Sequence, residues 1–364
     1  MFLIHLFAKR TFTSFKSLFN CNLLCILLLP ALLQAQIPKG SIFTKSLEEA
    51  KKNPGKVAEL DLSGQNLTSF PMEILEMKNL VFLSLSFNPI QEIPAEIGEL
   101  KKLFKLGLVG CQLKSLPSSI GKLSELNFLH LEKNNLDSLP ESIGNLGKLK
   151  QLSLTENQLT KLPETIGQLD QLEWLFLGAN QLSYLPESIG QLSVLEVLLA
   201  SRNQLEELPE SIGNLKKLVQ FGCAENKLKK LPNSFGGLRA LQKLRLHDNL
   251  TLSDLPASMA NLRKLESLQI WNCAFTKFPT SICQLPKLKV LYANKNQISI
   301  LPNEIKGLQS LENLNLSGNP LEKNLNEGLY ELQNLKSLML AGSGFTNEEV
   351  AVIRQKMPKC AIWQ

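Results

Sequence analysis

The sequence predicts an α/β solenoid, a stack of short coils in which each coil adds one strand to a single parallel sheet. The first observation behind this prediction is a 23-residue pattern, clearest at residues 126–148 (LNFLHLEKNNLDSLPESIGNLGK), that recurs from Val57 almost to the C-terminus. Secondly, one copy has too few apolar residues to close a core alone, so only stacking against further copies buries them. Thirdly, the first part of each copy, L-x-x-L-x-L, alternates as a strand does, whereas proline and glycine in the second part predict turns.

The pattern occurs about thirteen times, and each copy predicts one coil. Two of the steps between copies are 24 residues long, and the first of these carries an inserted residue within 249–256. A loop can absorb such an insertion without breaking the stack. The residues at the first position of the coils are Val57, Leu80, Leu103, Leu126, Leu149, Leu172, Leu195, Leu218, Leu241, Leu265, Leu288, Leu311 and Leu335.

The full pattern, L-x-x-L-x-L-x-x-N-x-L-x-x-L-P-x-x-I-G-x-L, resembles the leucine-rich repeat family in its 23-residue form, over residues 37–364. The resemblance implies a right-handed solenoid with a concave parallel β-sheet and a convex face of turns and short 3-10 or helical segments. The chain looks similar to secreted bacterial members of the family, of a Bacteroidetes-like kind.

Residues 1–35 differ in composition from the rest and are predicted to be a signal peptide. They contain three basic residues, no acidic residue and a leucine-rich run at 23–33, which is shorter than the roughly 20 residues needed to span a bilayer. Cleavage near Ala35 would give a secreted or cell-surface protein, periplasmic or extracellular, and the ending Ala-Gln resembles signals of Bacteroidetes-type bacteria. The alternative is an uncleaved segment that anchors the chain in the membrane.

The sequence divides the remaining chain into an N-terminal helical cap at 36–56, repeats at 57–346 and a C-terminal helix-strand cap at 347–364. Ser46 and Glu49 have the spacing of a capping box for a helix at 47–52. Asn347 is predicted to cap a helix at 348–356, with a short closing strand after it. Both caps would shield the ends of the stacked core from water.

Charge and cysteine usage exclude several classes of function. Loss of residues 1–35 would lower the formal charge from +6 to +3, and lysine and glutamate are interspersed, so no basic stripe supports nucleic-acid binding. Five cysteines spread along the repeats do not form a disulfide framework. Two of them, Cys111 and Cys273, occupy the ninth position of their coils, as in a known variant of the family.

Asparagine at the ninth position is predicted to be structural, because an inward amide must hydrogen-bond to the backbone of its neighbours. Nine coils have it, and we expect a ladder of hydrogen bonds along the stack. The residues are Asn88, Asn134, Asn157, Asn180, Asn203, Asn226, Asn249, Asn296 and Asn319.

Side chains at the second, third, fifth, seventh and eighth positions are predicted to face solvent on the concave side. Eight of the eighteen aromatic residues after residue 35 lie at these positions. That is more than expected from the fraction of the chain that these positions make up. One predicted cluster lies in coils four, six and seven and another in coils nine to eleven. An exposed apolar patch usually marks an interaction site. Strands favour aromatic residues in any case, which explains part of the excess. The alternative to a binding surface is that these large side chains simply pack against one another. The candidate ligand-binding residues are Phe82, Phe128, His130, Trp174, Phe176, Val197, Leu199, Arg245, His247, Gln269, Trp271 and Tyr292.

The sequence does not predict an enzyme, a cofactor or a metal site. After residue 35 the only histidines are His130 and His247, five strand spacings or about 24 Å apart, and no common catalytic or phosphate-binding motif is present. We therefore expect a non-catalytic recognition module for a protein or peptide. The alternatives are an intracellular scaffold similar to Ras-associated or Scribble-type repeat proteins and a glycan-binding adhesin, and nothing in the sequence predicts the oligomeric state.

Overall fold

The computed structural model describes residues 40–323 and 325–364, so the predicted signal peptide at 1–35 lies outside the described residues. Fifteen parallel strands form one open sheet, in the same order in space as along the chain. This arrangement confirms the predicted solenoid. The thirteen repeats supply β2 to β14, and the caps add one strand at each end.

The strands are short, and neighbouring strands pair in register from coil to coil. Their bounds are β1 (Ile42–Thr44), β2 (Val57–Asp61), β3 (Phe82–Ser84), β4 (Lys105–Gly107), β5 (Phe128–His130), β6 (Gln151–Ser153), β7 (Trp174–Phe176), β8 (Val197–Leu199), β9 (Gln220–Gly222), β10 (Lys243–Arg245), β11 (Ser267–Gln269), β12 (Val290–Tyr292), β13 (Asn313–Asn315), β14 (Ser337–Met339) and β15 (Ala361–Trp363).

One continuous apolar core runs through the whole stack between the strands and the return path of each coil. In coil seven, for example, Leu195, Leu198 and Ala200 are completely buried. Burial of a leucine side chain stabilises the fold by roughly 1.5 to 3 kcal/mol. Since these residues contact the coils on either side, no coil has a core of its own.

The return path of most coils contains a five-residue 3-10 helix that follows a proline. In coil four, Pro140 precedes the helix, and its carbonyl accepts a hydrogen bond from Ile143 N–H at 2.9 Å. The 3-10 helices are Pro54–Lys56, Met72–Glu76, Ala95–Glu99, Ser118–Lys122, Glu141–Asn145, Glu164–Gln168, Glu187–Gln191, Glu210–Asn214, Asn233–Gly237, Ala257–Asn261, Thr280–Gln284 and Asn303–Gly307.

The glycine of the Ile-Gly step allows these 3-10 helices to pack closely. A Cβ atom at Gly213 would lie only 2.2 Å from the carbonyl oxygen of Ser234 in the next coil, and six equivalent glycines are similarly confined. Cys283 takes the place of this glycine in coil ten. The following coil packs closely against the Cys283 backbone, since a Cβ at Gly307 would lie 2.3 Å from the Cys283 carbonyl oxygen.

The eighth position of every coil has the left-handed backbone conformation, which the sequence pattern does not reveal. Four coils have glycine there, but nine have other residues, such as Ala179 with φ 53° and Arg202 with φ 61°. The amide of Arg202 donates to the carbonyl of Ala224 in the next coil at 2.9 Å. Stacking thus holds residues without a left-handed preference in this conformation.

The described residues contain three α-helices, one in each cap and one in coil twelve, and each terminal helix differs in one respect from the sequence prediction. Helix α1 (Leu47–Lys52) begins as predicted at Ser46, whose Oγ accepts from Glu49 N–H at 3.2 Å, but the Glu49 carboxylate bonds to Thr44 instead of closing a capping box. Helix α2 (Glu327–Tyr330) replaces a 3-10 helix.

The predicted cap of the last helix is wrong by one residue. Helix α3 is Asn347–Lys356, and Thr346 caps it in a full capping box with Glu349. Thr346 is favoured over Asn347 because only Thr346 has a glutamate three residues later that can return a hydrogen bond.

Candidate binding surface on the parallel sheet

The ninth-position asparagines lie inside the stack, and their amides bond to the backbone of two coils. Asn203 Nδ2 donates to the carbonyls of Leu177 and Ala200 at 2.9 and 3.1 Å, while its Oδ1 accepts from Leu182 N–H at 3.0 Å. The other eight form the same kind of contacts and are at most 8% exposed. These residues hold the sheet in register and are unavailable to a ligand.

Where cysteine or serine replaces this asparagine, its side chain still donates a hydrogen bond to a backbone carbonyl. The backbone N–H that would have bonded to the asparagine oxygen finds an acceptor within the preceding coil. Cys111 Sγ lies 3.2 Å from the Leu85 carbonyl oxygen, where an asparagine Nδ2 would donate. In the preceding coil, Ile90 N–H donates to the carbonyl of Asn88 at 2.7 Å instead of to a neighbouring side chain. Pro89 follows Asn88, and the same Asn-Pro pair precedes the coil of Ser343. A local turn therefore compensates for the amide oxygen that is missing at Cys111 and at Ser343.

The predicted cluster around coils four to seven is partly buried by its own packing. Val81, Phe104 and Phe128 form a second apolar cluster on the concave face, and Trp174 packs against it. The rings of Phe104 and Phe128 are 5.5 Å apart. The prediction that all these side chains face solvent is wrong for Phe128 and Val197, each 5% exposed. Large neighbours on adjacent strands cover them.

Four of the predicted residues form a continuous surface, which we call the apolar patch: Trp174 and Phe176 on β7, and Val197 and Leu199 on β8. Trp174 lies beside Val197 and Phe176 beside Leu199 in the strand register. Except for Val197, these side chains are half-buried. The indole nitrogen of Trp174 is buried without a hydrogen-bond partner among the described residues.

The second predicted cluster also lies together, on β10 to β12. Arg245, Gln269 and Tyr292 are neighbours in register, and all three are half-buried. The rings of His247 and Trp271 stack with centroids 4.3 Å apart and planes 11° apart. Burial lowers the pKa of His247, and nearby Arg245 acts in the same direction, so the imidazole is neutral at pH 7.

A group of charged residues near the N-terminal end of the sheet was missed at the sequence level. Lys105 on β4 lies between Phe82 and Phe128 in register, and its Nζ is 5.2 Å from the centre of the Phe82 ring. Burial lowers the pKa of Lys105, whereas the carboxylates of Glu132 and Glu59 oppose this shift. The group also includes His130, whose Nδ1 is 3.4 Å from a Glu132 oxygen.

Glu59 is a second member of this group whose charge the fold disfavours. Burial raises its pKa above the ordinary value of 4.5, and the neighbouring Asp61 raises it further. The folded state therefore binds more protons than the unfolded state, and the stability from Glu59 is present below pH 4.5 and lost as pH rises through the folded pKa.

Replacing Glu59 by glutamine is accordingly expected to stabilise the protein at pH 7 but not at pH 4. The substitution removes the free-energy cost of keeping a half-buried carboxylate charged. At low pH protonation of Glu59 has already removed this cost, so the substitution gains nothing there. Urea denaturation of both proteins at each pH measures the difference. Glu76→Gln, at an exposed position outside the sheet, serves as the control. Equal gains at both pH values would contradict this account of Glu59.

The described part of the chain contains no group of three or more histidine, cysteine or acidic residues placed to bind a metal ion. The five described cysteines are free thiols. Burial raises the pKa of Cys273 and Cys360 to about 11 and of Cys283 to about 12. Such thiols remain protonated at neutral pH and are poor nucleophiles.

Taken together, the stacked coils and the outward side chains define a solenoid scaffold that presents one long sheet face. The model for a leucine-rich repeat region matches residues 118–198, 174–251 and 244–356, and a leucine-rich repeat model also matches residues 79–100. The chain belongs to the leucine-rich repeat family. Solenoids of this family are generally non-catalytic binding scaffolds.

Bacterial proteins are among the similar solved structures. A leucine-rich repeat protein of Leptospira interrogans is 32% identical, with a TM-score of 0.63, and the match covers 88% of this chain and 99% of that one. An internalin of Listeria monocytogenes has the same fold at 23% identity and a TM-score of 0.71, covering 86% of this chain and 88% of that one.

A plant protein illustrates ligand binding on a similar scaffold. The peptide hormone receptor RGFR1, solved in complex with RGF2, is 29% identical with a TM-score of 0.54. The match covers 79% of this chain but only 55% of the receptor chain.

Between residues 40 and 364, the described helices are all too short to cross a bilayer.

Proposed function

We propose that this protein is an exported, non-catalytic recognition module that binds a protein partner on the concave face. The observation that carries the proposal is the apolar patch of Trp174, Phe176, Val197 and Leu199. The core does not require outward side chains of this kind, because the inward leucines of the same strands already build it. Aromatic residues in a well-packed apolar surface are the usual anchors of protein interfaces.

Other features support recognition rather than catalysis. The two described histidines lie on β5 and just after β10, too far apart to act on one substrate atom. Among the described residues, His130 has only Glu132 as a polar partner, and the described cysteine thiols are protonated and largely buried. The complex of the similar receptor RGFR1 with RGF2 supports a peptide or protein as the class of ligand.

Export is proposed from the composition of residues 1–35, which have basic residues, a short leucine-rich run and Ala35 before a cleavage point. Cell fractionation followed by N-terminal sequencing tests it. A mature protein beginning near residue 36 outside the cytoplasm supports export. An intact N-terminus in the cytosol would favour the intracellular scaffold instead.

The binding face can be tested by photo-cross-linking in cells that produce the full chain. Benzoyl-phenylalanine at Phe176 or Leu199 is expected to give a discrete adduct with one partner protein, because these side chains lie on the apolar patch. Tyr184 is the matched control, since it is an exposed aromatic residue in the return path of the same coil as Phe176. An adduct from Tyr184 with none from Phe176 or Leu199 would rule out the concave face as the binding site.

A further inference from the structure

In the middle of the concave face, the third, fifth and seventh positions of the coils carry basic residues but no carboxylate. At the third, fifth and seventh positions of coils seven to eleven, three residues are basic and none is acidic. All three basic residues are in one coil, on β10 and just after it: Lys243, Arg245 and His247. We call these three residues the basic strand.

Lys243 and Arg245 form no side-chain hydrogen bond or ion pair within residues 40–323 and 325–364. Pairing between lysine and glutamate is nevertheless common elsewhere along the sheet. Lysines at the second position pair with glutamates of adjacent coils at 2.7 to 3.2 Å, in the pairs Lys150–Glu173, Lys289–Glu266 and Lys336–Glu312. The two cations of the basic strand are therefore available to a ligand.

The carboxylates closest to the basic strand already have partners. Glu225 lies 3.8 Å from the guanidinium of Arg202, and Asp248 accepts a hydrogen bond from Asn272. Both lie at the eighth position, at the edge of the concave face. The charges of Glu225 and Asp248 act to raise the pKa of His247, but neither carboxylate forms an ion pair with Lys243 or Arg245.

Two polar groups, one beside the basic strand and one within it, are buried without partners in the described structure. Gln220 is 7% exposed, lies directly next to Lys243 in register, and has no acceptor for its Nε2. His247 Nδ1 is likewise buried and unpaired. An unpaired buried polar group destabilises the protein, because it has lost its hydrogen bonds to water without gaining others. A ligand with oxygen acceptors would remove that destabilisation at Gln220.

The apolar patch lies immediately beside these donors. Gly222 on β9 separates Leu199 from Arg245, and a Leu199 methyl group lies only 3.0 Å from where a Cβ of residue 222 would be. Strands are about 4.8 Å apart, so the patch on β8 and the basic strand on β10 are separated by about 10 Å. An extended peptide covers this distance in about three residues.

We propose that this surface binds an acidic segment of a protein partner, in which apolar residues contact Phe176 and Leu199 and carboxylates about three residues away bind Lys243, Arg245 and Gln220. The inference rests on the proposed function and specifies the chemistry of the partner. A glycan is less favoured, since His247 already covers one of the two faces of Trp271 on which a sugar ring could stack.

Fluorescence anisotropy with the full chain tests the proposal directly. The probe is a fluorescein-labelled peptide with two leucines, a two-serine spacer and three glutamates, and its neutral match has glutamines in place of the glutamates. We expect the acidic peptide to bind and the neutral peptide to bind at least about tenfold more weakly, with affinity that falls as salt is added.

The Lys243→Gln/Arg245→Gln variant is expected to weaken binding of the acidic peptide by about tenfold. The control, Arg239→Gln/Lys264→Gln, removes the same charge at exposed positions outside the sheet and should bind as the unchanged protein does. Circular dichroism of both variants checks that the fold is retained.

Three results would overturn the proposal: no binding of the acidic peptide, equal binding of the neutral peptide, or equal loss in the control variant. Polygalacturonate provides the glycan arm, and binding of this polymer alone, lost in Lys243→Gln/Arg245→Gln, would also overturn it in favour of an anionic sugar. If these tests fail while Phe176 still cross-links to a partner, only the acidic chemistry is wrong. If Phe176 and Leu199 give no adduct, the proposed function itself fails.

Discussion

Replacing Asn203 by alanine is expected to lower the free energy of unfolding by about 3 kcal/mol. The substitution leaves the amide of Leu182 without its acceptor and the carbonyls of Leu177 and Ala200 without a donor. All of these groups lie inside the stack, where water cannot replace the asparagine. Urea denaturation measures the loss, and hydrogen exchange should show the Leu182 amide losing protection.

Asn203→Cys separates the two roles of this side chain. Cysteine can donate to the carbonyl of Leu177, as Cys111 does to that of Leu85, but it cannot accept from Leu182. Unlike the coil before Cys111, the coil before Asn203 has no Asn-Pro turn to supply an acceptor. We therefore expect a loss of roughly half that of alanine. Full stability in the cysteine variant would show that the Leu182 bond contributes nothing.

Replacing Gly213 by alanine is expected to cost about 2 to 3 kcal/mol. The new Cβ would lie 2.2 Å from the carbonyl oxygen of Ser234 and 2.7 Å from its carbonyl carbon. Because these are backbone atoms, relief requires the two 3-10 helices to separate, which loosens the core beneath them. The midpoint of urea denaturation should fall accordingly.

Gly147→Ala is the matched control for this prediction. Gly147 has an ordinary φ, and a Cβ there would have no atom within 4 Å. We expect that variant to be as stable as the unchanged protein or slightly more stable, since alanine restricts the unfolded chain. A similar loss in Gly147→Ala and Gly213→Ala would show that close approach of the coils is not the cause.

The repeat pattern predicted most of the fold because every coil has the same requirements for burial and for hydrogen bonding. A leucine at a fixed position has one way to be buried, and an amide between two coils has one set of backbone partners. The helix at the C-terminus was predicted one residue late because Thr346 and Asn347 can both cap a helix. Only the reciprocal bond of Glu349 decides between them.

The binding surface was predicted less completely, because outward side chains depend on neighbours one coil away. Phe128 and Val197 have outward positions but are covered by adjacent side chains. The grouping of Glu59, Lys105 and Glu132 was not predicted because each is an ordinary charged residue within its own coil. Their shared burial exists only once coils one to four are stacked.

The sequence by itself determined the number of coils, the inward and outward positions and the residues that fill the core, since these follow from a strict repeat and the need to bury leucine. The tertiary structure alone decided which outward residues are accessible, which charges lack a partner and which backbone positions are left-handed. These properties depend on contacts between coils, and a contact 23 residues away along the chain is set by the stacking distance rather than by local preference.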